Sequence, residues 1–178
     1  MNRISRSLVV LALLLITACS GTETLTEAPK VEVPSIYPTW YHTAGFVADS
    51  ASFTMSATAV ASDSTTAIQR AELESKMLLE SYLSKEMESV RTKLESSGSN
   101  SVKKPDFILT LRNAHAAVEK EAVTKNSLSE KTELGYRGFA QTSITKTALN
   151  SLMQKGFSGK TNYWKEFSGS PAYQALVN

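Results

Sequence analysis

From residue 68 the apolar side chains fall at 68, 71, 78, 79, 82, 83, 87, 90 and 94, a spacing that returns to one face of an α-helix. Ser62-Asp63-Ser64 offers capping side chains just before it, so the pattern predicts one long helix from about Ser64 to Leu94. The remaining face sets Arg70 against Glu74, Glu72 against Lys76, Lys76 against Glu80 and Arg91 against Glu95, all four residues apart, and reads as solvated. A helix that is apolar along one stripe needs a second layer to cover that stripe.

Strands supply the layer. Phe53, Met55, Ala57 and Ala59 alternate with Thr54, Ser56 and Thr58, the period of a strand with one buried face. A clear strand is predicted over Leu134 to Ile144, where Leu134, Tyr136, Ala140 and Ile144 share parity, and the polar stretch Ser129 to Thr132 is expected to turn a hairpin into it, so that two antiparallel strands are expected here. Between these regions Pro105 and Asp106 suit a first helical turn, followed by Phe107, Leu111, Ala114 and Val118 on one face, although Ile108 to Leu111 also reads as a strand. A short helix is expected from about Lys146 to Lys155, burying Ala148, Leu149, Leu152 and Met153, with Gly156 as its C-terminal stop. The tail carrying Trp164, Phe167 and Tyr173 is expected to fold back onto the core. The expected class is α+β: a small antiparallel sheet packed against one long helix, with one or two shorter helices.

The N-terminal residues specify an address. Arg3 and Arg6 precede an apolar run from Leu8 to Ile16 and the small-residue junction Thr17-Ala18-Cys19-Ser20, the plan of an export signal. A membrane-spanning helix needs about 20 apolar residues, more than this run contains. Ile16-Thr17-Ala18-Cys19 resembles the bacterial lipoprotein signal, in which the cysteine is acylated and the chain is cut just before it. That resemblance implies a removed signal over 1–18, an acylated Cys19, and, because Ser20 is not aspartate, retention at the outer membrane. Residues 19–36, rich in Thr, Glu, Pro and Ser, read as a flexible tether of roughly 60 Å when extended at about 3.3 Å per residue. A single module would then occupy 37–178.

Charge and cysteine content exclude several kinds of chemistry. Without Arg3 and Arg6 the 19 basic residues become 17, against 17 acidic ones, so the mature chain lacks the positive field of a nucleic-acid binder. Cys19 is the only cysteine, and an acylated thiol is neither nucleophile, metal ligand nor disulfide partner. His42 and His115 stand in no catalytic or zinc-binding spacing and are expected at the surface or rim. Gly159-Lys160-Thr161 mimics the end of a phosphate loop, but Gln154 occupies the position of the required first glycine. Glu72 and Glu74 lie two apart on a helix and face different ways, so they form no acid-base pair. No cofactor, metal or catalytic residue is expected.

Tyr37, Trp40, Tyr41 and Phe46 gather within ten residues and are expected to close one end of the core. Pro38-Thr39-Trp40-Tyr41, followed by a small-residue strand and a long alanine- and leucine-bearing helix behind a lipoprotein signal, resembles the bacterial family typified by the 20-kDa outer-membrane lipoprotein of Helicobacter. The resemblance extends over roughly residues 38 to 145. It implies an α+β module and a non-enzymatic envelope protein, and it carries over no catalytic residue. The expected function is structural or assembly work at the outer membrane, the module docking with itself or with an envelope or surface structure. Tyr37, Trp40 and Tyr41 on one side, or an unpaired sheet edge on the other, are the candidate docking elements. A carrier for an apolar small molecule is the alternative, requiring a cavity lined by residues such as Leu79, Leu83 and Tyr136. An envelope enzyme would instead require converging carboxylates.

Overall fold

The computed structural model describes residues 36–178, and the predicted class is the one observed. In chain order the elements are β1 (Phe46–Ala48), β2 (Ser52–Ala61), α1 (Ser64–Ser96), a single 3-10 turn (Ser101–Lys103), α2 (Pro105–Glu121), β3 (Val123–Thr132), β4 (Gly135–Thr145), α3 (Lys146–Gly156), α4 (Thr161–Ser168) and α5 (Pro171–Val177). The strands form one antiparallel sheet in the order β1-β2-β4-β3, and α1 lies across it. The β1–β2 turn is built on Asp49, whose Oδ1 accepts from the amides of Ala51 at 2.7 Å and Ser52 at 2.6 Å. These amides hold its carboxyl below the usual carboxylate range.

Asp63 starts the long helix, its Oδ1 accepting from the Thr66 amide at 2.9 Å. The buried stripe differs from the predicted one. It steps by four through Ala67, Ala71, Ser75, Leu79, Leu83 and Met87 to Val90, while Leu78 is 40% exposed. The reason is the close approach of helix and sheet, which only small side chains permit. Ala67 and Ala71 are fully buried, and a Cβ added to Gly138 on β4 would stand 2.1 Å from the Ala67 carbonyl oxygen. Ser75 is accepted in this interface because its hydroxyl meets that of Thr142 on β4 at 2.7 Å.

The second half of α1 leaves the sheet and packs among the remaining helices. Leu83, Met87 and Val90 join Val102, Phe107, Leu111, Phe157, Phe167 and Tyr173 in the same buried cluster that holds Phe53 and Ile144. The predicted return of the tail is observed: Phe167 lies 5.1 Å from Tyr173 and 5.6 Å from Phe157, ring to ring, and Trp164 lies 5.6 Å from both Phe157 and Tyr173. Burial pushes the Tyr173 phenol above its usual range, and its hydroxyl donates to Asn150 Oδ1. The Glu166 carboxylate accepts from Ser99 and Ser101, tying the loop after α1 to α4.

Several expectations change. Residues 108–111 are helical within α2, whose buried face contains the predicted Phe107, Leu111, Ala114 and Val118. The hairpin turns at Glu133 and Leu134, so Ser129 to Thr132 belong to strand β3 and Leu134 is 90% exposed at the tip. Gly156 ends α3 as predicted, for a different reason. It lacks the left-handed conformation of a helix stop, and an added Cβ would lie 2.3 Å from the Ala114 Cβ, so it is the contact point between α2 and α3. Of the four predicted charge pairs on α1, Arg91–Glu95 closes at 2.9 Å, with Glu88 as a second partner of Arg91. Arg70 instead donates to the Val60 carbonyl at 3.3 Å.

Candidate docking surface

Strand β4 is buried from Gly138 to Ile144 without alternation, so both of its faces are covered. The register with β2 places Tyr136, Gly138, Ala140, Thr142 and Ile144 on the α1 side with Ala57 and Phe53. Phe139, Gln141 and Ser143 therefore face the other way, opposite Thr58, Ser56 and Thr54. The predicted docking aromatics cover that second face. Tyr37 stacks on Tyr41 at 5.2 Å, and both present to Phe139 in edge geometry at 5.9 and 5.4 Å, leaving Phe139 fully buried. Trp40 lies against Tyr41, and its backbone carbonyl accepts from Gln141 Nε2 at 3.0 Å, while Asn126 Nδ2 donates to Gln141 Oε1 at 2.9 Å.

The three aromatics thus form a strap over the sheet, a correction to the expectation that they close one end of the main core. Phe46 alone of the four reaches that core, 4.2 Å from Tyr82. The strap is shaped by amides of Tyr41 and Gly45 donating to the carbonyls of Pro38 and His42, and is pinned to β2 by the Ser56 amide donating to the Gly45 carbonyl. Burial, with Tyr37 nearby, raises the Tyr41 phenol above its usual range. Ser56 Oγ is buried beneath without a hydrogen-bond partner. Cys19, the predicted lipidation site, lies outside the described residues.

The edge of the sheet is the more open candidate. Among the described residues β3 pairs with β4 alone over its 10 residues, whereas β1 at the opposite edge has 3. The two-residue loop makes Thr132 and Gly135 a hydrogen-bonded pair, so the alternating ladder directs the backbone groups of Ser127, Ser129 and Lys131 away from β4. A register shift at Lys125, with Glu130 and Lys131 further along, breaks the flatness of this edge and charges it. The predicted hairpin requires a strand here, but its bounds were not legible because its alternation is poor, Val123 and Leu128 being its only apolar residues.

Two titratable groups singled out in the sequence, His115 and Lys160, have acidic partners. His115 Nδ1 lies 3.0 Å from Glu119 Oε1 on the same helix, and its Nε2 is buried without a partner, so His115 is less exposed than the predicted rim position. A groove beside it is lined by Ser84, Glu88, Leu111, Arg112 and Glu119. Lys160 of the Gly159-Lys160-Thr161 element is held by Asp106 at 2.7 Å, which raises its pKa. His42 is exposed. Leu79 and Leu83, the expected walls of a carrier cavity, are packed within the core cluster, and Tyr136 lies at the hairpin end of β4 opposite Ala61 and Lys131. Among the described residues no three His, Cys, Asp or Glu side chains are grouped to hold a metal ion, and no helix is long and apolar enough to cross a membrane. No protein-family model, curated protein or solved structure matches this chain.

Proposed function

We propose that the chain is a non-catalytic, lipid-anchored protein of the bacterial outer membrane whose module docks through its open sheet edge with a second copy or with another strand-bearing envelope protein. Acylated Cys19 holds it at the membrane, and residues 19–36 give it reach. The observation that carries the docking reading is β3: ten residues paired on one side only, with the outward backbone groups of Ser127, Ser129 and Lys131 free of β4. The shift at Lys125 and the charges of Glu130 and Lys131 oppose indiscriminate pairing, so a partner strand must bring complementary side chains. The aromatic strap is the weaker docking element, because Tyr37 and Tyr41 are already committed to Phe139. The resemblance to the Helicobacter-typified lipoprotein family agrees with this reading and assigns Pro38, Trp40 and Tyr41 a part in the fold.

A photo-crosslinker placed at the exposed Lys125 of β3, on the same edge, in the anchored protein in intact cells tests it. Capture of a second copy or of an envelope protein is expected. Ser127→Pro, which removes an outward amide and leaves the β4 ladder in place, should abolish capture with little change in thermal unfolding. Recovery of monomer alone from the unsubstituted protein refutes the docking edge.

A further inference from the structure

The hairpin end of the sheet gathers apolar side chains that stay partly or largely exposed. Leu134 is 90% exposed at the tip and Val60 is 50% exposed near the end of β2. Ile36 and Tyr37, 53% and 37% exposed, enter over Phe139, whose cross-strand neighbour Thr58 is two residues from Val60 on the same face. Around these lie Arg137, opposite Val60, Arg70, bonded to the Val60 carbonyl, and Lys131, opposite Tyr136. Glu130 faces Arg137 across the strands, Glu133 shares the tip, and Asp63 caps α1, so the charge at this end is balanced.

We infer that this end of the sheet rests against a phospholipid surface, Leu134 and Val60 entering the headgroup boundary while Arg70, Arg137 and Lys131 meet the phosphates. The inference rests on the lipid anchor of the proposed function. The tether enters the module at Ile36, seventeen residues beyond Cys19 and next to Tyr37 over Phe139 in the hairpin half of β4, so this end reaches the bilayer with the tether slack, and its exposed apolar side chains favour it over the other ends. A few apolar side chains hold a free protein to a bilayer only weakly. An anchor that keeps them at high effective concentration converts the same contacts into a fixed orientation. Long basic side chains suit this boundary, since their stems lie along apolar surface while the charge stays at the headgroups. The balanced charge fits a largely zwitterionic surface.

The test uses the full acylated chain, in which Cys19 is consumed and an introduced cysteine is the single free thiol. Leu134→Cys and, as a reference, Leu109→Cys on the far helical part (58% exposed) are labelled with an environment-sensitive dye. The proteins are reconstituted in phosphatidylethanolamine vesicles with a minority of phosphatidylglycerol and headgroup-level nitroxide lipid. Quenching several-fold stronger at 134 than at 109 is expected, and Val60→Glu should reduce it. Equal quenching at the two positions, or stronger quenching at 109, overturns the orientation and leaves this end to a protein partner. The mass of the purified protein reads the anchor separately: absence of acyl chains refutes the anchor and with it this inference, whereas an acylated protein with equal quenching refutes the inference alone.

Discussion

Replacing Gly138 with alanine probes the tightest contact in the fold. The new Cβ would stand 2.1 Å from the Ala67 carbonyl oxygen, 2.3 Å from its carbon and 2.7 Å from the Ile68 nitrogen, all backbone atoms of the first turn of α1. No rotamer change relieves a collision with backbone. Reaching even a 3.4 Å contact means withdrawing the helix by about 1.3 Å, more than half of the way out of the dispersion well for the small residues Ala67 and Ala71. Overpacking of this kind costs about 1–3 kcal/mol. The same withdrawal stretches the buried 2.7 Å bond between Ser75 and Thr142, adding about 1–3 kcal/mol if it breaks. A total of about 2–6 kcal/mol is a large part of the roughly 5–15 kcal/mol that holds a domain together. Urea unfolding followed by circular dichroism should show a lowered midpoint with an unchanged slope. Ala67→Gly in the same chain should give no rescue, because the obstacle is a carbonyl and not the alanine methyl. A loss within about 0.5 kcal/mol, the size of an ordinary surface change, refutes the argument, as does full rescue by Ala67→Gly.

Other perturbations separate the two faces of the sheet. Phe139→Ala removes the platform of the aromatic strap and should cost about 3–5 kcal/mol in urea unfolding; Trp40→Ala should cost less, since its link to Gln141 runs through the backbone carbonyl, and the reverse order would contradict the strap. Ser75→Ala should destabilise by about 1–3 kcal/mol, and Thr142→Val by less, because Ser75 keeps the Glu72 carbonyl as partner. Asp49 and Asp63 are both held below the ordinary 3.8 by backbone amides, so their contributions are complete above that value and are lost as pH falls through the lower folded values. Melting temperature should therefore fall between about pH 5 and about pH 2, and the acid loss should shrink in Asp63→Asn, which keeps a capping oxygen without the charge.

The long helix, the first strand and the return of the tail were legible because each advertises itself by apolar period or aromatic content. The helix–sheet interface was not, since it is made by what is missing: Ala67, Ala71 and Ser75 on one side and Gly138 on the other carry almost no hydropathy signal. The parity reading of Leu134, Tyr136, Ala140 and Ile144 found one face of β4 and overlooked Phe139, because a rule of one buried face does not anticipate a cover supplied by residues a hundred positions earlier. The aromatic cluster itself was visible, and its destination was set by tertiary contact with Phe139 alone. Strand β3, the candidate docking edge, was implied by the expected hairpin, but its extent was not legible, because exposed edge strands keep polar residues on both faces. The anchor at Cys19 is a sequence reading throughout.

The strap has a mechanical consequence. Any pull transmitted along the chain to Ile36 arrives first at Tyr37, then at the Trp40 carbonyl bonded to Gln141 and at the ring of Tyr41, and only afterwards at the Gly45–Ser56 bond that joins the strap to β2. Load therefore peels rings from Phe139 one at a time before it shears the sheet, and each ring lifted wets Gln141 and Ser143 while the α1 side stays dry. A tethered module built this way yields at its cover and keeps its frame.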